Sequence, residues 1–343
     1  MISRRNFIAS TLAASTIAQQ TIAQQNAIKI IKPPRLKVGD TLGLVCPAGA
    51  VSSRQTIDVI RESMAALGLN VKIGKHAYDR YGYLAGKDQD RAADLNAMFA
   101  DSSVQGILCV HGGWGCARLL PLLDYKTIAQ NPKIILGYSD ITALLLAIHA
   151  QTGLVTFHSP EGAATWNSFT VDCFRKILMD GEAVLMENPK EIGNNLTQIE
   201  DRIETLYQGK ATGPLLGGNL TVLSHLMGTR FLPDWKGSLL FLEDVHENIY
   251  SIDRMMTQLK LAGVFEDMNG FVFGKCTKCA PGEGYGSLTF DNLFDDHIKP
   301  TQKPAYAGAM IGHISHKFTV PLGIMAELDA STGTIKLLES AVL

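Results

Sequence analysis

Short apolar runs alternate with stretches of helical spacing along the first half of the chain. Thr41-Leu42-Gly43-Leu44-Val45-Cys46 predicts a strand that breaks at Pro47-Ala48-Gly49. Ser52 or Ser53 then caps a helix with Ile57, Ile60, Met64 and Leu67 on its apolar face, and Gly68 ends it. A short strand at 70–73, a helix from Arg91 to Ala100 and a strand from Gln105 to Val110 follow. A helical piece holds Leu119, Leu120, Leu122 and Leu123. Lys133 to Gly137 is another apolar run. Ile141, Leu144, Leu145 and Ile148 recur at helical spacing up to Gly153, and a strand at 154–158 closes the series. Strand and helix alternate, so residues 36–185 are expected to form an α/β domain with a mainly parallel sheet. Clear periodicity stops between about 165 and 210, where Asn188-Pro189-Lys190 and Gly193-Asn194-Asn195 are turn-rich. The domain boundary is placed there. Residues 200–343 predict a smaller α+β domain. It has strands at 238–242, 271–273 and 305–311, a helix at 250–261, and a hairpin at 324–328 and 334–338.

Composition narrows the picture only slightly. The 343 residues suffice for two domains, and 46% hydrophobic residues support a large core. A formal charge of −2, with no basic run beyond the N-terminus, points away from nucleic acid. No G-x-G-x-x-G follows the first strand and no P-loop lysine pattern occurs, so nucleotide binding has little support. Six cysteines in a chain this long do not resemble a disulfide framework. Cys276-Thr-Lys-Cys279 is a lone C-x-x-C after a strand pattern, without the second pair a zinc ribbon needs, and is read as structural. No metal-ligand spacing is found, and no cofactor is expected.

Residues 1–23 stand apart. Ser3-Arg4-Arg5-Asn6-Phe7-Ile8 looks like a twin-arginine export signal, and an uncharged, mildly apolar stretch runs on to Ile22. Thr16-Ile17-Ala18 and Thr21-Ile22-Ala23 offer small residues for cleavage. The stretch is too short and polar for a stable membrane span. The mature protein is expected in the periplasm or outside the cell. The alternative is a disordered tail with two chance arginines.

The chemistry centres on Gly137-Tyr138-Ser139-Asp140, where a buried strand turns into a helix. A hydroxyl there meets free backbone N–H groups and the positive end of the helix dipole, as an attacking oxygen requires. Ser139 or Asp140 serving as a plain helix cap is the competing reading. Glu243 ends a strand in Phe241-Leu242-Glu243-Asp244-Val245-His246-Glu247, and His313 follows Gly312 where another strand runs out. A serine nucleophile needs an imidazole to take its proton and a carboxylate to orient that imidazole. Glu243 as a solvated strand-end acid and His313 as a core histidine are the bland alternatives.

These residues sit among further markers. They are the glycine loop Gly112-Gly113-Trp114-Gly115 with Arg118-Leu119-Leu120, then Gly217-Gly218-Asn219-Leu220, then Tyr250, Asp253 and Arg254. Taken in order from Lys37 to the C-terminus, the whole resembles the serine LD-carboxypeptidases of murein recycling, also called muramoyltetrapeptide carboxypeptidases. The resemblance implies a flavodoxin-like N-terminal domain and a swivelling β/β/α C-terminal domain with the triad at their junction. It implies Ser139 as nucleophile, Glu243 as orienting acid and His313 as base, and a homodimer. The implied reaction is metal-free hydrolysis of an L,D-peptide bond in a murein peptide through an acyl-enzyme. Backbone N–H groups at Gly113 and Asp140 are the expected oxyanion donors. Arg254 is the candidate for gripping the substrate's terminal carboxylate, against a structural salt bridge to Asp253 or Glu247. The family commonly has Arg before the glycine loop and Tyr within it, where this chain has His111 and Trp114. The family is usually cytoplasmic, which the leader contradicts. Microcin C self-immunity hydrolases share the triad and cleave an aminoacyl-nucleotide amide. Trp114 is the one feature here suited to stacking on their adenine.

Overall fold

A computed structural model describes residues 29–281 and 286–343. The predicted leader at 1–23 lies outside them. The first half runs β1 (Thr41–Val45), α1 (Arg54–Ala66), β2 (Asn70–Ile73), α2 (Asp88–Ala100) and β3 (Gly106–Cys109). A 3₁₀ segment (Cys116–Leu122), α3 (Tyr125–Gln130), β4 (Ile134–Gly137), α4 (Thr142–Thr152) and β5 (Thr156–His158) follow. Ile57, Ile60 and Met64 are buried on α1 as their spacing predicts, but Ser53 stands at the N-cap without a side-chain cap bond. Leu42, Leu44, Ile107, Leu108, Ile135 and Leu136 are wholly buried, so the apolar runs are strands covered on both faces.

These strands lie side by side in the order β2-β1-β3-β4-β5, every pair parallel. This is the flavodoxin-like order, in which ligands bind beyond the carboxyl ends of the strands. Helix α4 is buried along its length from Thr142 to His149. Its sequence suggests one apolar stripe, yet both halves of the molecule press on it. It packs against β5 on one side and against strands of the second half on the other.

The second half opens with α5 (Ser168–Leu178), β6 (Leu185–Met186), β7 (Glu204–Tyr207), β8 (Lys210–Asn219) and α6 (Leu220–His225). Then come β9 (Leu239–Val245), α7 (Ile249–Leu261), α8 (Val264–Asp267), β10 (Gly270–Thr277) and α9 (Phe290–His297). β11 (Ala305–Ala307), β12 (Val320–Leu322), β13 (Met325–Asp329) and β14 (Thr334–Leu337) complete it. Helix α5 falls where periodicity was expected to fail. It buries Phe174, Ile177 and Leu178, and the Asn167 side chain caps it through the Thr170 N–H. The strand expected over 305–311 stops at Ala307, because Gly308 turns into the left-handed region at φ 96°.

Among the described residues the second sheet has eight strands, ordered β6-β14-β13-β8-β9-β10-β11-β7. Its centre, β8 to β11, is parallel, and antiparallel strands flank it. β12 leaves this half and pairs antiparallel with β5 at the edge of the first sheet, Val320 opposite His158. At the C-terminus, Leu343 exchanges backbone bonds with Pro33 and Arg35. The cysteines depart from expectation: Cys276 and Cys279 form a disulfide across a turn in which Lys278 takes φ 57°. Cys46, Cys109 and Cys116 are free and buried. No helix among the described residues is long and apolar enough to cross a membrane.

Candidate active site

Ser139 follows the end of β4 in the left-handed region, at φ 61°. A non-glycine residue there carries strain, and a nucleophile on a sharp strand-to-helix turn has this conformation. Two glycines make the turn possible. A Cβ on Gly137 would lie 2.7 Å from Ile141, and one on Gly112 would lie 2.8 Å from the Ser139 Cβ and 3.0 Å from its Oγ. Neither Ser139 nor Asp140 caps the helix, which corrects the cap reading. The Asp140 carboxylate instead accepts the Cys116 N–H at 2.8 Å and ties the Ser139 turn to the end of the glycine loop. Burial pushes the Asp140 carboxyl up, against that bond.

Glu243 is a residue of β9 and is wholly buried, so the solvated-acid alternative does not hold. Its Oε2 meets Nδ1 of His313 at 2.8 Å, and its Oε1 accepts from the Asn219 side chain at 3.2 Å. Asn219 stands opposite Glu243 in the parallel register of β8 and β9. Burial opposes the Glu243 charge, yet the bond and charge of His313, with His158 and Asn219, hold its carboxyl below the usual range. Gly312 lets His313 come this close: at φ 131°, its Cβ would lie 3.0 Å from the Lys275 carbonyl and 3.1 Å from Glu243 Oε2. The Thr277 hydroxyl holds the His313 carbonyl at 3.0 Å, between the two disulfide cysteines in sequence.

The Tyr138 ring brings the two halves of the site together, with its centre 4.9 Å from that of His313. Among the described residues no hydrogen bond links His313 to Ser139; its ring is engaged by Glu243. Catalytic hydrogen bonds of this type are often long before substrate binds. Gly113, at φ 120°, continues the loop beside Gly49, and the Asp140 nitrogen lies 3.2 Å from where a Gly112 Cβ would stand. Trp114 is 66% exposed and meets Tyr83 edge-on at 5.7 Å. Arg254 lies over the Tyr250 ring at 5.5 Å. Asp253, weighed as its salt-bridge partner, pairs with His297 at 2.7 Å instead.

Four groups around this site escaped sequence reading. His158, Glu161 and Lys317 are buried, and Asn219 had been noted only as a marker. Charged residues are read as solvated by default, so nothing in the sequence signalled Glu161 or Lys317. Among the described residues the one group spaced for a metal ion is His76, Asp79 and Asp90, which shares no residue with this site.

Comparison with known proteins identifies the family of the chain. Residues 42–159 match the LD-carboxypeptidase N-terminal domain and residues 212–328 the LD-carboxypeptidase C-terminal domain. The chain is 38% identical over 308 residues to the probable murein peptide carboxypeptidase of Bacillus subtilis, covering 88% of this chain and 93% of that protein. It is 30% identical to the microcin C7 self-immunity protein MccF of Escherichia coli, over 89% of this chain and 94% of that one. The solved structure of MccF without ligand superposes with a TM-score of 0.81 at 27% identity, covering 91% of this chain and all of that one. A muramoyltetrapeptide carboxypeptidase from Oxalobacter formigenes gives a TM-score of 0.72 at 25% identity, over 87% and 97% of the two chains. The chain belongs to the LD-carboxypeptidase family.

Proposed function

We propose that this chain is a serine carboxypeptidase that releases terminal D-alanine from murein tetrapeptides. Ser139, Glu243 and His313 are its triad. The observation that carries this reading is the buried Glu243 carboxylate at 2.8 Å from His313, beside a serine held at φ 61°. With Nδ1–H donating to Glu243, Nε2 of His313 is left to accept the Ser139 proton. The Ser139 oxygen attacks the carbonyl on the L side of the L,D bond. The Gly113 and Asp140 N–H groups take the oxyanion. The intermediate collapses, the C–N bond breaks, and His313 gives its proton to the departing amine of D-alanine. Water, deprotonated by His313, then attacks the ester and frees Ser139. No metal or cofactor enters this scheme. Arg254 is assigned to the terminal carboxylate and Trp114 to the substrate's remote end.

The chain is further proposed to act as a homodimer in the periplasm, exported through its twin-arginine leader. The Cys276–Cys279 disulfide supports an oxidising compartment. A second reading, an amide hydrolase of aminoacyl-nucleotides, is favoured by the likeness to MccF and by the exposed Trp114. One experiment separates them. Purified protein is incubated with murein tetrapeptide and with an aminoacyl-sulfamoyl adenosine, and products are read by mass spectrometry. Release of D-alanine that disappears in Ser139→Ala, by about 10³-fold or more, is expected. Cleavage of the nucleoside alone would overturn the murein assignment, and full turnover by Ser139→Ala would overturn the serine mechanism.

A further inference from the structure

Among the described residues, three buried polar atoms at the end of β5, just after it and just before β12 have no hydrogen-bond partner: Nδ1 of His158, Oε2 of Glu161 and Oγ1 of Thr319. Lys317 is buried in the same place, with 4% of its surface exposed. Its backbone N–H donates to the Thr170 hydroxyl of α5 at 3.3 Å. Its ammonium sits 3.8 Å from the centre of the Tyr138 ring. That ring lies 4.9 Å from His313 and 6.1 Å from His158, centre to centre. Tyr138 thus touches the cation and the imidazole, and its backbone runs straight into the strained turn at Ser139.

A buried ammonium is costly unless opposite charge or an aromatic face compensates it. Here both do. The charged groups facing Lys317 are Glu161 from the loop after β5 and Glu243 from β9. His158 of β5 and His313 of its own loop are the nearby bases. Burial pushes the Lys317 ammonium down to about 8, against the pull of the two acids. Burial pushes Glu161 up to about 8, against Lys317 and the Gly112 N–H.

We propose that Lys317 is a positioning residue of this active site: its ammonium, packed on the Tyr138 ring, fixes the residue that carries Ser139 and offsets the buried acids beside the Glu243–His313 pair. The inference rests on the serine-hydrolase reading above. Lys317 acts through Tyr138 and through the field at His313, without touching the substrate. Loss of the cation therefore lowers kcat and leaves KM nearly unchanged. It also moves the acidic limb of the kcat/KM profile upward, because a nearby positive charge opposes protonation of the base.

The test compares wild type, Lys317→Met, Lys317→Arg and the double variant Glu161→Gln with Lys317→Met, all assayed by D-alanine release from tetrapeptide across pH. Lys317→Met should lose about ten-fold or more in kcat, and its acidic limb should rise by about one unit. Lys317→Arg keeps a cation over the ring and should hold the limb in its wild-type place. The double variant leaves no uncompensated acid and should fold as wild type by circular dichroism, yet stay slow. A folded Lys317→Met or double variant with wild-type kcat would overturn the proposal. So would a limb that moves equally in Lys317→Arg. A wild-type protein inactive on every substrate would instead remove the functional reading beneath it.

Discussion

A single methyl group at Gly112 should silence the enzyme while leaving it folded. Gly112 lies outside the left-handed region, so the backbone accepts alanine, and the whole effect is steric. The new Cβ would stand 2.8 Å from the Ser139 Cβ, 3.0 Å from its Oγ and 3.2 Å from the Asp140 nitrogen. Carbon atoms pack at about 3.5 Å or more, so roughly 0.7 Å must be found. The turn has little to give. Ser139 already sits at φ 61°, and Asp140 is held by the Cys116 N–H at 2.8 Å. Overpacking of this kind costs about 1–3 kcal/mol, which a chain of this size shows as a few degrees in Tm. Displacing a nucleophile by nearly 1 Å costs about 10²-fold in rate. Gly112→Ala should therefore unfold slightly earlier, bind tetrapeptide with nearly the same KM, and turn over about 100-fold more slowly. The assay is D-alanine release with parallel thermal unfolding. A folded variant within threefold of the wild-type kcat would show that the loop can yield, and that close packing on Ser139 is not what holds the nucleophile.

Glu243→Gln keeps the shape of the His313 contact and removes its charge; kcat should fall about 10⁴-fold with little change in KM, and a loss under tenfold would remove Glu243 from the triad. His158 should contribute a loss of stability as pH falls from about 6.5 towards 4, opposed over the same window by Glu161 and Asp244, whose buried carboxyls are pushed up. Burial holds His158 neutral, pushed down to about 4, so the folded state lacks a proton that the unfolded chain takes up. The His158 share is about 3 kcal/mol, with His149 adding in the same direction, and is read as the difference between wild type and His158→Gln in urea titrations; parallel pH profiles of the two between pH 6.5 and 4 would refute it. Replacing Arg4 and Arg5 by Lys conserves charge but should strand full-length precursor in the cytoplasm; wild-type protein found there with its leader intact would end the export proposal.

The first sheet was readable because each strand is a run of apolar residues and each turn is marked by glycine or proline. Ser139 was readable for the same reason: Gly137-Tyr138-Ser139-Asp140 interrupts an apolar run at a strand's carboxyl end. What the local pattern could not give is where side chains spend their polar atoms. Asp140 looks like a cap, yet its carboxylate is bound by Cys116, 24 residues earlier. Glu243 looks like a solvated strand-end acid, yet it is wholly buried, with Asn219 and His313 as its partners. β12 was missed because Pro321 argues against a strand; it is tolerated because β12 lies at a sheet edge. Lys317 and Glu161 were missed because burial of a charge is a tertiary event that leaves no trace in spacing.

The crossing of β12 bears on how the three residues proposed as a triad, split between two halves, are kept in register. Ser139 belongs to the first sheet, and Glu243 to the second. His313 lies on the segment that joins them. Upstream, the Ile311 carbonyl accepts the Lys275 N–H at 2.8 Å, which fixes the approach to His313 on β10. Downstream, Val320 pairs with His158 and Pro321 with Phe157, which fixes the exit on the first sheet. A second tie runs beside it, where the Asn219 N–H donates to the Thr142 hydroxyl at 3.0 Å. Gly218 lets that contact form, since a Cβ there would lie 2.6 Å from the Thr142 side chain. His313 is thus anchored to the sheet that leads into Ser139 by the strand that follows it, and to the sheet of Glu243 by the Ile311 carbonyl just before it. A relative rotation of the halves large enough to part Ser139 from His313 must break the β5–β12 ladder and the Thr142 bond together.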